Sequence, residues 1–128
     1  MTTLYHNPRC SKSRLTLALL RDRGVEPQII LYLEQQLDAT QLQDILDKLD
    51  MRPRELLRRS DEAYKRLDLK DLNLSDKRLL QAMLDYPKLI QRPIVVRGKR
   101  AVIGRPPENV LNFDVELVLV EAIGISIR

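Results

Sequence analysis

A single cysteine, Cys10, and a single histidine, His6, supply the only thiol and the only imidazole in this chain of 128 residues. One thiol excludes an internal disulfide, and one thiol with one imidazole is too little for a structural zinc site, so no metal is expected. A lone free thiol also favours a reducing compartment. Tryptophan is absent and aromatic residues make up only 4% of the chain, which leaves little for stacking on bases and speaks against nucleic acid as a partner. The 4 glycines form neither a phosphate-binding loop nor a dinucleotide signature. No apolar run approaches the ~18 residues of a membrane-spanning helix. Met1-Thr2-Thr3-Leu4-Tyr5 carries no basic segment followed by a long apolar run, so no secretion signal is read there. The expectation is a cytoplasmic protein with no bound cofactor and no membrane partner.

What is present suits one soluble core. Hydrophobic residues account for 44% and charged residues for 31% of the chain, the balance of a globular rather than a disordered protein. Basic residues number 22 against 18 acidic ones, a net charge of +4, and arginine outnumbers lysine. So modest an excess fits a small anionic ligand better than a nucleic-acid backbone. Guanidinium is the better bidentate partner for tetrahedral oxyanions. Genomic base composition alone would also favour arginine, so the positions must decide.

Leu4-Tyr5-His6 starts a short strand that Asn7-Pro8 ends. From Ser11 to Arg23, Leu15, Leu17, Ala18, Leu19 and Leu20 recur near helical spacing until Gly24 stops them. Gln28-Ile29-Ile30-Leu31-Tyr32-Leu33 is nearly continuous in strand formers and predicts a strand buried on both faces. Helical periodicity then covers Ala39 to Asp50, Pro53 to Arg59 and Ser75 to Tyr86, with Thr40 or Asp38, Pro53, and Ser75 with Asp76 as start signals. Ile94-Val95-Val96-Arg97 and Arg100-Ala101-Val102-Ile103 flank Gly98-Lys99 as a hairpin, and Pro106-Pro107-Glu108 opens a last helix through Val110 and Leu111. One domain over residues 1–128 is expected, with a helical insertion at about 36–90 that no linker-like tract flanks, and a tail, 113–128, left unassigned. The order β-α-β, helices, β-β-α resembles an α/β thioredoxin/glutaredoxin-like mixed sheet with a helical excursion. In that fold a cis proline precedes the third strand, which predicts a cis Arg92-Pro93 bond.

Cys10 falls at the entrance of the first helix. Only thiolate is reactive, and a free thiol near pKa 8.5 is mostly protonated at neutral pH. Unpaired N–H groups and the positive end of the helix dipole both lower that value. Ser13 can turn its hydroxyl back toward the sulfur, and Arg9, Lys12 and Arg14 add positive potential. A small buried hydrophobe is the ordinary role of a lone cysteine, but such a residue belongs inside an apolar run, not in a proline-containing loop among cations. For His6 two readings stand: a satisfied strand-end side chain, or a group that tunes the Cys10 thiolate.

Tyr5-His6-Asn7-Pro8-Arg9-Cys10-Ser11-Lys12-Ser13-Arg14, Leu57-Arg58, Arg92-Pro93-Ile94-Val95 and Gly104-Arg105-Pro106-Pro107-Glu108 together resemble the glutaredoxin-dependent arsenate reductase family, over roughly residues 3–112. The resemblance implies reduction of arsenate to arsenite, with glutathione as co-substrate and glutaredoxin as partner. It also implies Cys10 as nucleophile, Arg58, Arg92 and Arg105 as binders of the oxyanion, Ser13 as a serine that bonds the thiolate, and His6 as the family's histidine. From spacing alone Arg58 would be a solvated helix residue beside Arg54 and Arg59, whereas Arg92 and Arg105 each precede a proline at the border of an element.

Two alternatives remain at this stage. Regulators of the same fold bind RNA polymerase and sense redox state through Cys-x-x-Cys; Ser13 occupies the second position here, so only a redox-independent binder would be left. A glutathione-dependent thiol protein acting on another substrate is the other. The segment from Phe113 to Arg128 matches no motif of the family, and its apolar character suggests an added strand or a subunit contact.

Overall fold

The computed structural model describes residues 1–111; the tail 113–128 lies outside the described residues. The described residues divide into two compact units, one formed by Met1–Leu31 with the described residues from Arg92 on, the other by Tyr32–Gln91.

The first unit is built on a four-stranded sheet in the order β2-β1-β3-β4. It comprises β1 (Thr2–Tyr5), α1 (Ser11–Asp22), β2 (Gln28–Ile30), β3 (Ile94–Arg97), β4 (Arg100–Ile103) and a closing 3₁₀ helix at Pro107–Leu111. Strand β1 runs parallel to β2 and antiparallel to β3, with Leu4 opposite Ile29 on one side and Val95 on the other. The β3–β4 hairpin turns at Gly98 with φ +61°, the conformation that a glycine-first two-residue turn requires. Leu4, Leu20, Val25, Val95 and Val110 form the core, and Leu17, Val102 and Leu111 pack against it. Each such leucine or valine contributes roughly 1.5–3 kcal/mol by burial. The Arg92–Pro93 peptide is cis, as expected from the sequence, and Arg105–Pro106 is cis as well.

Two sequence expectations need correction here. The strand read over 28–33 ends at Ile30, and it is an edge strand whose Gln28 and Ile29 are exposed, not a strand buried on both faces. Apolarity in that run serves two purposes: Ile29 and Ile30 pair with β1, while Tyr32 is buried in the other unit. On α1, Leu15 is 54% exposed, and the buried residues are Ser13, Thr16 and Leu20. The leucine pattern pointed to a greasier face than the one the helix buries, because its first turn points Ser13 inward as a polar partner for the loop before it.

The second unit is helical: α2 (Ala39–Leu49), α3 (Pro53–Leu56), α4 (Glu62–Arg66), α5 (Asp76–Asp85) and a 3₁₀ turn at Pro87–Leu89. Asp38 and Gln41 close a reciprocal capping box on α2, and Ser75 caps α5 by accepting from the Arg78 N–H, so the start signals act as the sequence indicated. The helix expected over Pro53 to Arg59 stops at Leu56. Leu57 instead bridges to Ile90, the Gln91 N–H donates to the Leu56 carbonyl and the Arg58 N–H to the Leu89 carbonyl. Non-local pairing has displaced the last helical turn.

Candidate active site

Strand β1 delivers the loop that holds Cys10. The His6 N–H donates to the Ile30 carbonyl at 2.9 Å, carrying the ladder one residue past the strand. The loop then folds on itself: the Arg9 N–H donates to Asn7 Oδ1 at 3.0 Å, the Cys10 N–H donates to the Asn7 carbonyl at 3.0 Å, and Arg14 Nη1 donates to the Pro8 carbonyl at 2.9 Å. An asparagine that bonds its own backbone two residues on is a turn-forming device. Cys10 thereby becomes the N-cap of α1, extended at φ −94° and ψ 123°, with its carbonyl accepting from the Arg14 N–H.

The thiol is half-buried and free. Burial pushes its pKa up, but the backbone N–H of Ser13, the Arg92 guanidinium and the backbone N–H of Lys12 together outweigh burial and hold the thiol below its ordinary value. These are the helix-start and opposite-charge effects that favour the anion. Arg92 is only 8% exposed, and burying a charge is costly unless it is paired or hydrogen-bonded. Arg105 completes the arrangement: its Nη2 lies 3.7 Å from Cys10 Sγ, and its Nε donates to the Arg92 carbonyl at 2.7 Å. Asn109 Nδ2 holds the Arg105 carbonyl at 3.0 Å.

Ser13 takes a different part from the one its spacing suggested. Its hydroxyl lies 2.6 Å from His6 Nδ1 and accepts from the Asn7 N–H at 3.1 Å. The side chain thus serves the imidazole and the loop, and it is the Ser13 backbone N–H that acts on the sulfur. His6 is buried, and burial first, then the charges of Arg21 and Arg14, lowers its pKa. A neutral imidazole bonded to a serine therefore underlies the loop.

His6, Cys10, Ser13, Arg92 and Arg105 all belong to the first unit. Arg58 belongs to the helical unit, where it follows the Leu57–Ile90 bridge and its Nη1 stands 4.0 Å from an Asp61 carboxylate oxygen. Sequence reasoning passed over Asn7, whose carbonyl and side chain organise the loop; the Asn-Pro pair was the available signal. Among the described residues, no group of three or more His, Cys, Asp or Glu side chains is gathered as a metal-ligand set. A thiol shifted toward its anion at a helix start, with two guanidinium groups at or near the sulfur, is an arrangement in which a small oxyanion can bind and be attacked at its central atom.

Fold and site together define a thioredoxin-like protein whose one cysteine stands free at the start of its first helix. The chain belongs to the ArsC family, whose model matches residues 5–113. It is 57% identical to Uncharacterized protein YfgD of Escherichia coli (strain K12) over 86% of this chain and 93% of the relative. It is 50% identical to the Arsenate reductase of Haemophilus influenzae over 86% of this chain and 96% of the relative. Among solved structures, that of an arsenate reductase from Vibrio cholerae superposes with a TM-score of 0.86 at 47% identity, covering 88% of this chain and 97% of the other.

Proposed function

We propose that the protein reduces arsenate to arsenite, with glutathione and glutaredoxin as the source of electrons. The observation that carries this reading is the approach of Arg105 Nη2 to the sulfur of the one cysteine, with the buried Arg92 guanidinium also acting on that sulfur. Arsenate is an anion at neutral pH, so a thiolate can approach it only where cations offset the repulsion and stabilise the charge that builds at the transition state. In the first step the Cys10 thiolate attacks arsenic, the S–As bond forms, and an As–O bond breaks as one arsenate hydroxyl takes up a proton from solvent and leaves as water. The arsenic is still pentavalent. A glutathione thiolate then attacks the Cys10 sulfur of the adduct: the S–S bond of a Cys10–glutathione disulfide forms, the S–As bond breaks, and its electron pair goes to arsenic, which becomes trivalent and leaves as arsenite, so the two thiols are oxidised as the arsenic is reduced.

One cysteine cannot close an internal disulfide to release that intermediate, so both electrons must come from external thiols, glutathione and then glutaredoxin. Arg58 is assigned to the third oxyanion contact by its position in the family's motif. A reducing compartment, the cytoplasm, fits this demand, and no described helix is long and apolar enough to cross a membrane. Two guanidinium groups at a lowered-pKa thiol favour catalysis over a redox-independent binding module, which would need neither.

The test is arsenate-dependent oxidation of glutathione, coupled to glutaredoxin, for the native protein and Cys10→Ser. The native protein turns over and the variant stays at background; equal rates would overturn the assignment. Turnover with another oxyanion in place of arsenate would favour the thiol protein of different substrate.

A further inference from the structure

Two glycines stand at the ends of β4, for opposite reasons. Gly98 has φ +61° and open space where a side chain would go. Gly104 is buried and is not among the glycines with positive φ, so its backbone conformation is open to any residue. What a side chain lacks there is room: a Cβ would lie 2.5 Å from Thr16 Oγ1, 2.8 Å from Pro93 Cγ and 3.4 Å from Val110 Cγ1.

Those neighbours are the parts that carry the thiol site. Thr16 lies on the buried face of α1, the helix that Cys10 caps, and it is β-branched and wholly buried, hence stiff at χ1. Pro93 directly follows Arg92, and the Gly104 N–H donates to the Pro93 carbonyl at 2.9 Å. The Arg105 N–H then donates to the Ile103 carbonyl at 2.9 Å, a tight reversal that sends the next side chain back to Cys10 and to the Arg92 carbonyl.

We propose that Gly104 is a positioning residue for the thiol site: its missing side chain lets the chain leaving β4 close on α1 and Pro93, which brings Arg105 within reach of both Cys10 and Arg92. A methyl group at this point cannot be absorbed by a flexible side-chain end, because both nearest atoms belong to short, confined groups. Relief requires β4 and Arg105 to move away from α1, or Pro93 and Arg92 to move instead. Either shift takes a cation from the sulfur. The inference rests on Cys10 being a thiolate that Arg92 and Arg105 hold.

The experiment compares native protein, Gly104→Ala and Gly98→Ala by two readouts at Cys10: the pH titration of thiolate absorbance, and the rate of alkylation by iodoacetamide at neutral pH. Loss of a cation beside a thiolate raises the thiol pKa, so Gly104→Ala should slow alkylation by roughly five- to tenfold and move the titration upward. Gly98→Ala lowers the melting temperature through its strained φ while both thiol readouts stay native. A folded Gly104→Ala with native titration and rate overturns the proposal. Should that variant fail to fold, Thr16→Val carries the test, since it can set a bulkier methyl where Oγ1 faces Gly104; a slowed rate supports the proposal and a native rate overturns it. A native thiol that titrates in the ordinary range would instead refute the thiolate assignment itself.

Discussion

The two units bury different things. Thr2, His6, Ser13, Thr16 and Arg92, the buried polar and charged residues of the described chain, all belong to the strand unit, whereas the helical unit buries hydrophobic side chains, Tyr32 included. Burying polar groups is costly unless they are partnered. The strand unit meets part of that cost with specific contacts, Ser13 with His6 and Asn7, and Arg97 Nη1 with Thr2 Oγ1 at 2.6 Å, while Thr16 Oγ1 has no hydrogen-bond partner among the described residues. In the helical unit the charged groups lie at the surface or half-buried, as in the Asp38–Gln41 capping box, the exposed Arg52–Asp76 pair and Arg54, which donates to the Leu69 and Asp71 carbonyls. One unit is organised by hydrophobic packing and caps; the other gives up part of its core to hold a thiol and its cations.

Substitutions can break this division, and the largest effect is expected in the apolar unit. Leu46 is wholly buried on α2, so Leu46→Ala should cost about 2–5 kcal/mol in urea unfolding. Alkylation of Cys10 in the folded variant should proceed at the native rate. A changed rate would mean that the thiol site depends on packing in the other unit.

Arg92→Ala is the counterpart at the sulfur. Removing a preorganised cation that faces developing negative charge should lower kcat/KM for arsenate by about 10²–10³-fold, with the thiol titration displaced upward as the guanidinium is lost. A fall below tenfold would remove Arg92 from the anion site.

The fold was more legible in the sequence than the wiring of the site. Helices α2 and α5 showed in the spacing of apolar residues with Asp38 and Ser75 at their starts, because local periodicity and capping chemistry lie within a few residues of each other. The hairpin showed in Gly98-Lys99. The edge position of β2 did not, since apolar residues at 28–33 are shared between a strand and the buried Tyr32, and strand order depends on pairings about 90 residues apart in sequence, such as Thr2 with Arg97. Helix α4 had no apolar stripe long enough to announce five residues, Glu62–Arg66. At the site, Cys10 and the arginines could be named from their motifs, but the target of the Ser13 hydroxyl could not: its spacing suggested the sulfur, whereas the hydroxyl pairs with the His6 imidazole and accepts from the Asn7 N–H.

That choice yields the next prediction. Ser13→Ala leaves the buried His6 Nδ1 and the Asn7 N–H without their partner, which should cost about 1–3 kcal/mol. The backbone N–H of residue 13 remains, so Cys10 should alkylate within about twofold of native, as the thiolate fraction is little changed. A large drop in rate would return the hydroxyl to the sulfur, the role that the spacing first suggested.

The smallest effect is in pH dependence, and the two titratable groups of the site separate by window. His6 has a lowered pKa in the folded chain through burial and then the charges of Arg21 and Arg14, so between that value and the ordinary ~6.5 the unfolded chain binds the proton that the folded one refuses. Its contribution to stability is complete above ~6.5 and is lost as pH falls through the folded value. Cys10 is also lowered, despite burial, by the Ser13 N–H, Arg92 and the Lys12 N–H; its contribution is complete above the ordinary thiol range near ~8.5 and is lost as pH falls through its own folded value. Urea midpoints from pH 7.5 down to 5.5 for Cys10→Ser and for Cys10→Ser/His6→Asn isolate the histidine, because asparagine can reach the Ser13 hydroxyl without titrating. The variant that keeps His6 should lose stability on acidification more steeply than the one without it; parallel profiles would mean that the imidazole beside Ser13 takes up its proton as readily in the folded protein as in the unfolded chain.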